Sequence, residues 1–362
     1  MHALAPVLVS IVLLSFTGAC ARTVKPPPDD TWTAVQGSPF GKSDIHAIAY
    51  GGNRWIAAGE DGKIAYSNDG IIWTAVQGSP FGKSDIHAIA YGANRWIAAG
   101  EDGKIAYSND GITWTAVQGS PFGKSDIHAV VCGGRFIAVG GRGMAASSDD
   151  GITWNTVIPK SPFRVLAGGV VHMPGGKAVS RFVIAGDGEI AYADDGITWL
   201  AAAHNIFGTY TYVADYAYTY KPFSTSPHLA IPVYSTAPYP VTALAYGAQP
   251  GGPERSAGGR FVAAGGGGKM AYSDDGAVWS LLVHTLGTTR MRAIAYGVGP
   301  AGRNTFVAAG DDAGMAYSSD GISWSAARNN AFGRSDIYAL AFGGGRFIAA
   351  GEDGKMAWRA WP

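Results

Sequence analysis

Short apolar runs, each the length of one β-strand, recur along the chain and are separated by turns rich in Gly, Asn and Asp. In the first complete unit the runs span residues 45–50, 54–58, 63–67 and 71–76. The turns between them supply residues that tolerate a positive φ, as tight hairpins require. Four short strands joined by three tight turns make one blade of a β-propeller, so the pattern predicts an all-β fold.

Tryptophan marks the repeat of this unit. The repeated tryptophans are Trp32, Trp73, Trp114, Trp154, Trp199, Trp279 and Trp324. Their spacing is 40 to 45 residues except for one interval of 80, and the shorter spacing is that of a propeller blade. The first strand of the unit also occurs seven times, at or near Ile45, Ile86, Ile127, Phe163, Val241, Met291 and Ile337. The pattern therefore predicts seven blades.

The two ends of the repeat array predict how the ring closes. The strand at Trp32 precedes any complete blade, whereas the last unit stops after a third strand at 355–358. We predict that the strand at Trp32 completes the seventh blade, because closure protects strand edges that an open array would expose. Residues 31–362 are then one seven-bladed β-propeller of four-stranded blades, closed by its N-terminal strand.

Composition narrows the classes of function. Lys and Arg number 27 and so do Asp and Glu, so the chain has no net basic charge for nucleic acid. The eight histidines show no compact ligand spacing, and the Gly-rich strings do not lead into helical patterns, so no metal or cofactor is expected. Cys132 stands where other repeats have tyrosine and is expected to be a small buried hydrophobe. We expect a monomer.

The first thirty residues differ from the repeats. An apolar run of about ten residues, too short for the roughly 20 that span a bilayer, ends in Thr-Gly-Ala directly before Cys20. The segment resembles a bacterial lipoprotein signal peptide, although His2 replaces the usual Lys or Arg. The resemblance implies a cleaved leader at 1–19, acylation of Cys20, a stiff tether at 20–30 and a lipid-anchored place in the bacterial cell envelope, periplasmic or at the cell surface. Ordinary secretion and an uncleaved anchor are the alternatives.

The third turn of the unit carries the most specific motif. It reads Ser-x-Asp-Gly-x-x-Trp at 67–73 and recurs at 108–114, 148–154, 273–279 and 318–324, while the copy at 193–199 lacks the serine. The motif resembles the Asp box of the bacterial neuraminidase repeat (BNR), found in the sialidase-like superfamily and in the photosystem II assembly-factor family. The resemblance implies a β-propeller whose Asp boxes lie opposite the ligand face. A structural role, with bonds to turn amides, is expected for Asp69, Asp110, Asp150, Asp195, Asp275 and Asp320.

The same resemblance makes sialidase-like glycoside hydrolysis an alternative function. A sialidase needs three arginines around a carboxylate, a Tyr-Glu pair and an acid Asp. Most arginines stand at one repeated position before the second strand, where a role in the blade is simpler. The ring-facing candidates that remain are Arg164, Arg290 and Arg292. The non-repeated acids that such an enzyme would use are Asp215, Glu189 and Glu254.

One position at the start of the innermost strand predicts a ring of side chains around the central channel. The ring consists of His46, His87, His128, Arg164, Thr242, Arg292 and Tyr338. These partly cationic groups would suit a small anion or a carboxylate. The alternative is that they only solvate the rim of the channel.

An insertion at about 204–238 accounts for the 80-residue interval and lies in a connection between blades. Tyrosine is enriched in protein interfaces, and ordered loops of this length are usually functional. We expect either a binding surface or a flap over the channel. Its candidate binding residues are Tyr210, Tyr212, Tyr216 and Tyr218.

These features favour a non-enzymatic lipoprotein that binds a protein or glycan partner through its channel face and the tyrosine-rich insertion. A glycoside hydrolase and an assembly factor for an envelope or membrane complex are the alternatives. No residue is assigned a catalytic role.

Overall fold

The structure is a computed structural model, and the residues it describes are not continuous. They are 31–157, 163–172, 178–187, 189–204, 207, 209–218, 230–248, 259–282, 287–299, 304–327 and 330–361. The predicted leader, Cys20 and the tether lie outside these residues. Within them, no helix is long and apolar enough to cross a membrane.

Seven antiparallel sheets of four strands each form the blades, and the strand nearest the channel comes first in each blade. Blade 1 consists of β2 (Ile45–Gly51), β3 (Arg54–Gly59), β4 (Ile64–Ser67) and β5 (Thr74–Ala75). Blade 2 consists of β6 (Ile86–Gly92), β7 (Arg95–Gly100), β8 (Ile105–Ser108) and β9 (Thr115–Ala116). Blade 3 consists of β10 (Ile127–Cys132), β11 (Phe136–Gly140), β12 (Met144–Ser148) and β13 (Asn155–Val157). Blades 4 and 5 are β14 (Phe163–His172), β15 (Ala178–Gly186), β16 (Glu189–Ala193) and β17 (Leu200–His204); β20 (Val241–Ala248), β21 (Gly259–Gly265), β22 (Met270–Ser273) and β23 (Ser280–Leu281). Blades 6 and 7 are β24 (Met291–Val298), β25 (Asn304–Gly310), β26 (Met315–Ser318) and β27 (Ser325–Ala326); β28 (Ile337–Gly343), β29 (Arg346–Gly351), β30 (Met356–Ala360) and the first strand of the chain, β1 (Thr33–Ala34).

Ring closure by the N-terminal strand is confirmed. Strand β1 pairs antiparallel with β30, with Thr33 opposite Trp358 and Ala34 opposite Ala357. The amide of Val35 continues this pairing by donating to the carbonyl of Met356 at 2.9 Å. The chain is thus an all-β, seven-bladed propeller whose first strand completes its last blade.

The hydrophobic core lies between the blades rather than within them. Each of seven buried clusters combines side chains from two neighbouring blades. The cluster between blades 7 and 1, for example, joins Trp55 and Trp73 to Ile348 and Met356. Because every interface around the ring buries apolar surface in this way, each blade depends on both of its neighbours.

The fourth strand of blade 1 is shorter than predicted. Residues 71–76 were predicted as a strand, but in blade 1 only Thr74–Ala75 pairs with β4. The carboxylate of Asp69 accepts hydrogen bonds from the amides of Ile71 and Ile72, at 2.8 and 2.9 Å. These amides are therefore used within the Asp-box turn and cannot join the sheet.

The full set of turn bonds recurs at the other Asp boxes that keep the serine, and the copy at 193–199 shares the carboxylate bonds. Ser67 Oγ donates to Asp69 at 2.9 Å and accepts from the amide of Gly70 at 2.8 Å, and the buried Trp73 indole donates to the Gly70 carbonyl at 3.2 Å. Each of the six repeated carboxylates accepts from the amides two and three residues further on: Asp69, Asp110, Asp150, Asp195, Asp275 and Asp320. Their described contacts are those of turn-forming groups.

Four of the repeated arginines link neighbouring blades next to these turns: Arg54, Arg95, Arg181 and Arg260. Arg54 Nε donates to Asn68 in its own blade at 3.2 Å, and its Nη1 donates to the carbonyl of Asp110 in the next blade. Arg181 is buried and forms the same link, with a 2.6 Å bond to Asp194 and a 2.7 Å bond to the carbonyl of Asp275. The blade role that the sequence favoured for these arginines agrees with this geometry.

The turn between the second and third strands is a single 3-10 turn in six blades. These turns are Glu60–Gly62, Glu101–Gly103, Gly141–Gly143, Gly266–Gly268, Asp311–Ala313 and Glu352–Gly354. Their central residue lies in the left-handed region, as at Asp61 with φ 55°. Because the strands are antiparallel, these turns share one face with the connections between blades, and the Asp boxes lie on the other face.

The tyrosine-rich insertion contains a β-hairpin of its own. Strands β18 (Thr209–Tyr218) and β19 (Ala230–Pro238) form a separate two-stranded sheet, with Thr209 opposite Pro238 and Tyr218 opposite Ala230. The insertion was predicted as a loop between blades, whereas its described residues pair as two strands, the second of which leads directly into β20, the inner strand of blade 5. The four candidate tyrosines all belong to β18, and their side chains lie outside the described residues.

Candidate functional site

A β-bulge interrupts the innermost strand of all seven blades at the same point. In blade 1 the register shifts between Ile45 and Ala47, so His46 is the extra residue. A bulge bends the strand and re-aims a side chain. The extra residues are His46, His87, His128, Arg164, Thr242, Arg292 and Tyr338. They are the residues that sequence spacing predicted as a ring.

These seven side chains line the mouth of a central cavity of about 620 Å³. The residue two positions after each of them adds an apolar tier to the wall: Ile48, Ile89, Val130, Leu166, Leu244, Ile294 and Leu340. The site therefore has a polar entrance above an aliphatic wall. Ligand pockets commonly combine a mostly apolar lining with a few polar groups in this way.

Four ring members from consecutive blades form an arc of neighbouring rings. The ring centroids of Tyr338 and His46 are 5.7 Å apart, those of His46 and His87 are 5.7 Å apart, and those of His87 and His128 are 6.2 Å apart. The guanidinium carbon of Arg292 lies 5.2 Å from the centroid of the Tyr338 ring. The arc therefore presents flat groups side by side around half of the channel mouth.

Burial shifts the pKa values of three ring side chains, those of His87, His128 and Tyr338. Burial lowers the pKa of His87, and the neighbouring His46 lowers it further. Burial and then the positive charge of Arg164 lower the pKa of His128. Burial, with smaller effects of Asp44 and other carboxylates, raises the pKa of Tyr338 to about 12. At neutral pH His87 and His128 are therefore uncharged and Tyr338 keeps its proton, so each can both donate and accept hydrogen bonds.

The two ring arginines are paired with carboxylates. Arg164 Nε lies 3.5 Å from Asp187 Oδ1. Arg292 bonds to Asp311 through Nε and lies 3.3 Å from Asp336 through Nη2. The positive charge that the sequence placed at the mouth is therefore offset locally. The third arginine candidate, Arg290, is not part of the described cavity wall.

Hydrogen bonds from blade to blade hold the mouth in place. The carboxylate of Asp85 accepts from the amide of Asp61 in the preceding blade at 3.0 Å, and Asp44 accepts from the amide of Asp353 at 2.9 Å across the ring closure. Equivalent bonds join Asp102 to Asp126 and Asp312 to Asp336. Bonds of this kind order the carboxylates around the ring and make the entrance a pre-formed surface.

Three side chains of types that can bind a metal ion meet at this entrance. Donor atoms of His46, Glu60 and Asp85 all lie within 4.8 Å of one another. Sequence reasoning missed the group because its members are far apart in the chain and come from a bulge, a 3-10 turn and a connection between blades. The sequence feature that could have revealed this group is the recurrence of Ser-Asp-Ile-His and Glu-Asp-Gly at fixed positions in the blades.

The described wall of the channel contains one carboxylate, that of Asp44. Glycoside hydrolases commonly use two carboxyl groups that flank the bond to be cleaved. Glu189 begins β16 and is not part of the described wall, and the side chains of Asp215 and Glu254 lie outside the described residues.

Comparison with known proteins gives a family and a fold. A family model described as the DUF6242 beta propeller domain matches residues 31–280, more than half of the chain. No curated protein matches the chain. Among solved structures, "YCF48 bound to D1 peptide" has a TM-score of 0.61 at 16% identity and covers 91% of this chain and 97% of that one.

Two further structures are similar at comparable levels. YCF48 from Cyanidioschyzon merolae has a TM-score of 0.57 at 14% identity, covering 91% of this chain and 98% of its own. The WD40 beta propeller domain of Doa1 has a TM-score of 0.57 at 12% identity, covering 90% and 96%. At these identities the likeness is one of fold, and a fold hosts unrelated functions.

Proposed function

The chain belongs to the DUF6242 beta propeller domain family. We propose that it uses the channel mouth of its propeller to bind an extended segment of a partner protein. The observation that carries the proposal is the set of seven bulges, each of which presents one side chain at the mouth of the cavity. Bulges are often found next to functional sites, where they re-aim side chains.

The chemistry of the cavity suits a peptide. A peptide offers backbone N–H and C=O groups together with apolar side chains. Neutral imidazoles and a protonated tyrosine can bond to either backbone group, while the aliphatic tier below accepts an apolar side chain. A cavity of about 620 Å³ falls within the usual size of ligand sites and is too small for a folded domain.

A structural relative supports the same class of ligand. One of the similar structures is a propeller described as bound to a D1 peptide. The present chain shares its fold at 16% identity, so the comparison supports a peptide-sized ligand but does not identify its sequence. The tyrosine-rich hairpin would extend the contact, because it runs directly into β20, and Thr242 of β20 belongs to the ring.

The experiment that tests this proposal screens the full chain against a peptide display library and, in parallel, against a glycan array. We expect enriched peptides that compete with one another for a single site. Enrichment of glycans alone, without peptides, would replace the protein partner by the glycan alternative. Turnover of a bound glycan would instead favour the glycoside hydrolase.

We further propose that the propeller is displayed from a bacterial membrane by a lipid on Cys20. The support is the lipobox-like sequence before Cys20. The variant Cys20→Ser cannot form the thioether to the lipid, so it should move from the membrane fraction to the soluble fraction. A variant that stays in the membrane fraction contradicts the anchor.

A further inference from the structure

We propose that His46, Glu60 and Asp85 form a binding site for a divalent transition-metal ion of the Zn²⁺ class, at the channel entrance between blades 1 and 2. The site goes beyond peptide binding and does not depend on it. Its ligands come from three separate elements: the bulge of β2, the 3-10 turn Glu60–Gly62 and the connection that leads into β6.

The separations of the donor atoms fit one ion. All three donors lie within 4.8 Å of one another, and His46 Nε2 is 4.0 Å from Asp85 Oδ2. Nitrogen and oxygen ligands lie about 2.0–2.2 Å from Zn²⁺, so at the tetrahedral angle two ligands of one ion are about 3.4 Å apart. The donor atoms must therefore draw together by up to about 1.4 Å, or about 0.7 Å for each of two atoms, which is on the order of ordinary side-chain motion.

Each carboxylate is oriented by a backbone amide. One oxygen of Glu60 accepts from the amide of Asp44 at 2.9 Å, and Asp85 Oδ1 accepts from the amide of Asp61 at 3.0 Å. Oxygen Oδ2 of Asp85 faces His46 instead. Outer hydrogen bonds of this kind orient ligands in metal sites and contribute to affinity.

The types of ligand select the ion. An imidazole with two carboxylates provides one nitrogen and two oxygen donors, a set that suits Zn²⁺ and its transition-metal neighbours. Ca²⁺ and Mg²⁺ prefer oxygen ligands alone and in larger number. Two carboxylates also neutralise the charge of a divalent ion. Three protein ligands leave a fourth position for water or for a group of an incoming ligand.

The neighbouring blade provides a matched control. His87, Glu101 and Asp126 occupy the same repeat positions, and the amide of Asp85 donates to Glu101 as the amide of Asp44 does to Glu60. Among the described residues, however, only the blade 1 group brings its three donors within 4.8 Å. The same substitution is therefore made in both blades. Loss of metal binding in the blade 1 variant alone indicates the proposed site, whereas an equal loss in both variants indicates a general effect of acidic charge.

The test is calorimetric titration of ZnCl2 into the full chain, prepared without a histidine tag and stripped with EDTA, with no peptide present. We expect one saturable equivalent. His46→Gln, Glu60→Gln and Asp85→Asn should each weaken binding at least tenfold, whereas Asp126→Asn, the blade 2 equivalent of Asp85→Asn, should stay within twofold of the wild type. Co²⁺ should give a visible absorption spectrum of low coordination number that His46→Gln abolishes. Excess Mg²⁺ should not displace the ion.

Thermal unfolding in EDTA shows which variants keep the wild-type fold, and those variants decide the outcome. If one variant unfolds, the other two decide. Binding that does not saturate, binding that survives His46→Gln and Glu60→Gln unchanged, or an equal loss in Asp126→Asn each overturns the site. Because the titration contains no peptide, its failure leaves the proposed peptide binding untouched, and the reverse also holds.

Discussion

The indole Nε1 of Trp32 donates a 2.6 Å hydrogen bond to the hydroxyl of Tyr317, although 285 residues separate them in the chain. Trp32 directly precedes β1, and Tyr317 lies in β26 of blade 6. The bond therefore joins the segment before β1 to blade 6, the neighbour of blade 7, which β1 completes. Trp32 is only 4% exposed and packs in the cluster between blades 6 and 7.

Removal of this tryptophan should open the ring. Trp32→Ala deletes a buried indole and should lower the free energy of unfolding by about 3–5 kcal/mol. Trp32→Phe retains most of the apolar burial but loses the bond to Tyr317, so it should cost about 1–2 kcal/mol. Urea unfolding measures both. Equal stability of Trp32→Ala and the wild type would contradict closure by β1.

The repeated arginines should differ in their effect on stability according to burial. Arg181 is 5% exposed and stacks 4.4 Å from the ring centroid of Tyr192, whereas the bonds of Arg54 lie in an exposed setting. Arg181→Ala should cost about 2 kcal/mol, less than a fully buried ion pair because Asp194 is partly exposed. Arg54→Ala should cost less than about 1 kcal/mol. The two values are compared by chemical denaturation, and a reversed order would contradict this account.

Acid should weaken the propeller through its Asp boxes. Burial alone would raise the pKa of Asp320, but bonds from the amides of Ser323 and Ile322 and from Ser318 outweigh burial and lower it. The pKa values of the five other Asp-box carboxylates are lowered as well. A folded-state pKa below the unfolded value means that the stabilisation is present above about pH 4 and is lost as the pH falls further.

Urea unfolding at pH 6, 4.5 and 3 measures this effect. Between pH 6 and pH 4.5 the free energy of unfolding should fall only through His87 and His128, whose lowered pKa values leave the unfolded state to bind more protons. It should fall further between pH 4.5 and pH 3, where the Asp boxes take up protons. Asp320→Asn keeps an oxygen acceptor but not the charge, so its loss between pH 4.5 and pH 3 should be smaller. A wild-type protein equally stable at pH 6 and pH 3 would contradict the prediction.

How far the sequence predicts the fold depends on how local each signal is. Blade number and closure follow from the spacing of the tryptophans and from the unpaired strand at Trp32. The length of the fourth strand does not follow from the sequence pattern, because the Asp69 carboxylate competes with the sheet for the amides of Ile71 and Ile72.

The candidate site divides in the same way. The ring was predictable because one repeat position supplies each of its members. The ion pairs of Arg292 with Asp311 and Asp336 were not predictable from the sequence, and the contact between His46 and Asp85 was not predictable either. Both contacts depend on how a bulge in one blade faces the connection to the next. Contacts between blades have no signature in the spacing of residues along one blade.

The hairpin formed by β18 and β19 should be dispensable for folding. It pairs with no blade in the described sheets, so replacement of 209–238 by a short Gly-Ser linker, which keeps the buried core residue Phe207, should change the melting temperature little. If its tyrosines are part of the interface, the same replacement should weaken binding of a selected peptide. A large loss of stability with unchanged peptide affinity would instead identify the hairpin as a structural flap.

The most direct test of peptide binding at the channel is the affinity of one display-selected peptide for three variants, measured by fluorescence anisotropy. Tyr338→Ala and His128→Ala remove ring side chains, while Ile72→Ser changes a 74% exposed residue in an Asp box on the opposite face. We predict at least tenfold weaker binding for both ring variants, with melting temperatures close to that of the wild type, and affinity within twofold of the wild type for Ile72→Ser. Unchanged affinity in both ring variants, or a loss confined to Ile72→Ser, would contradict the channel mouth as the binding site.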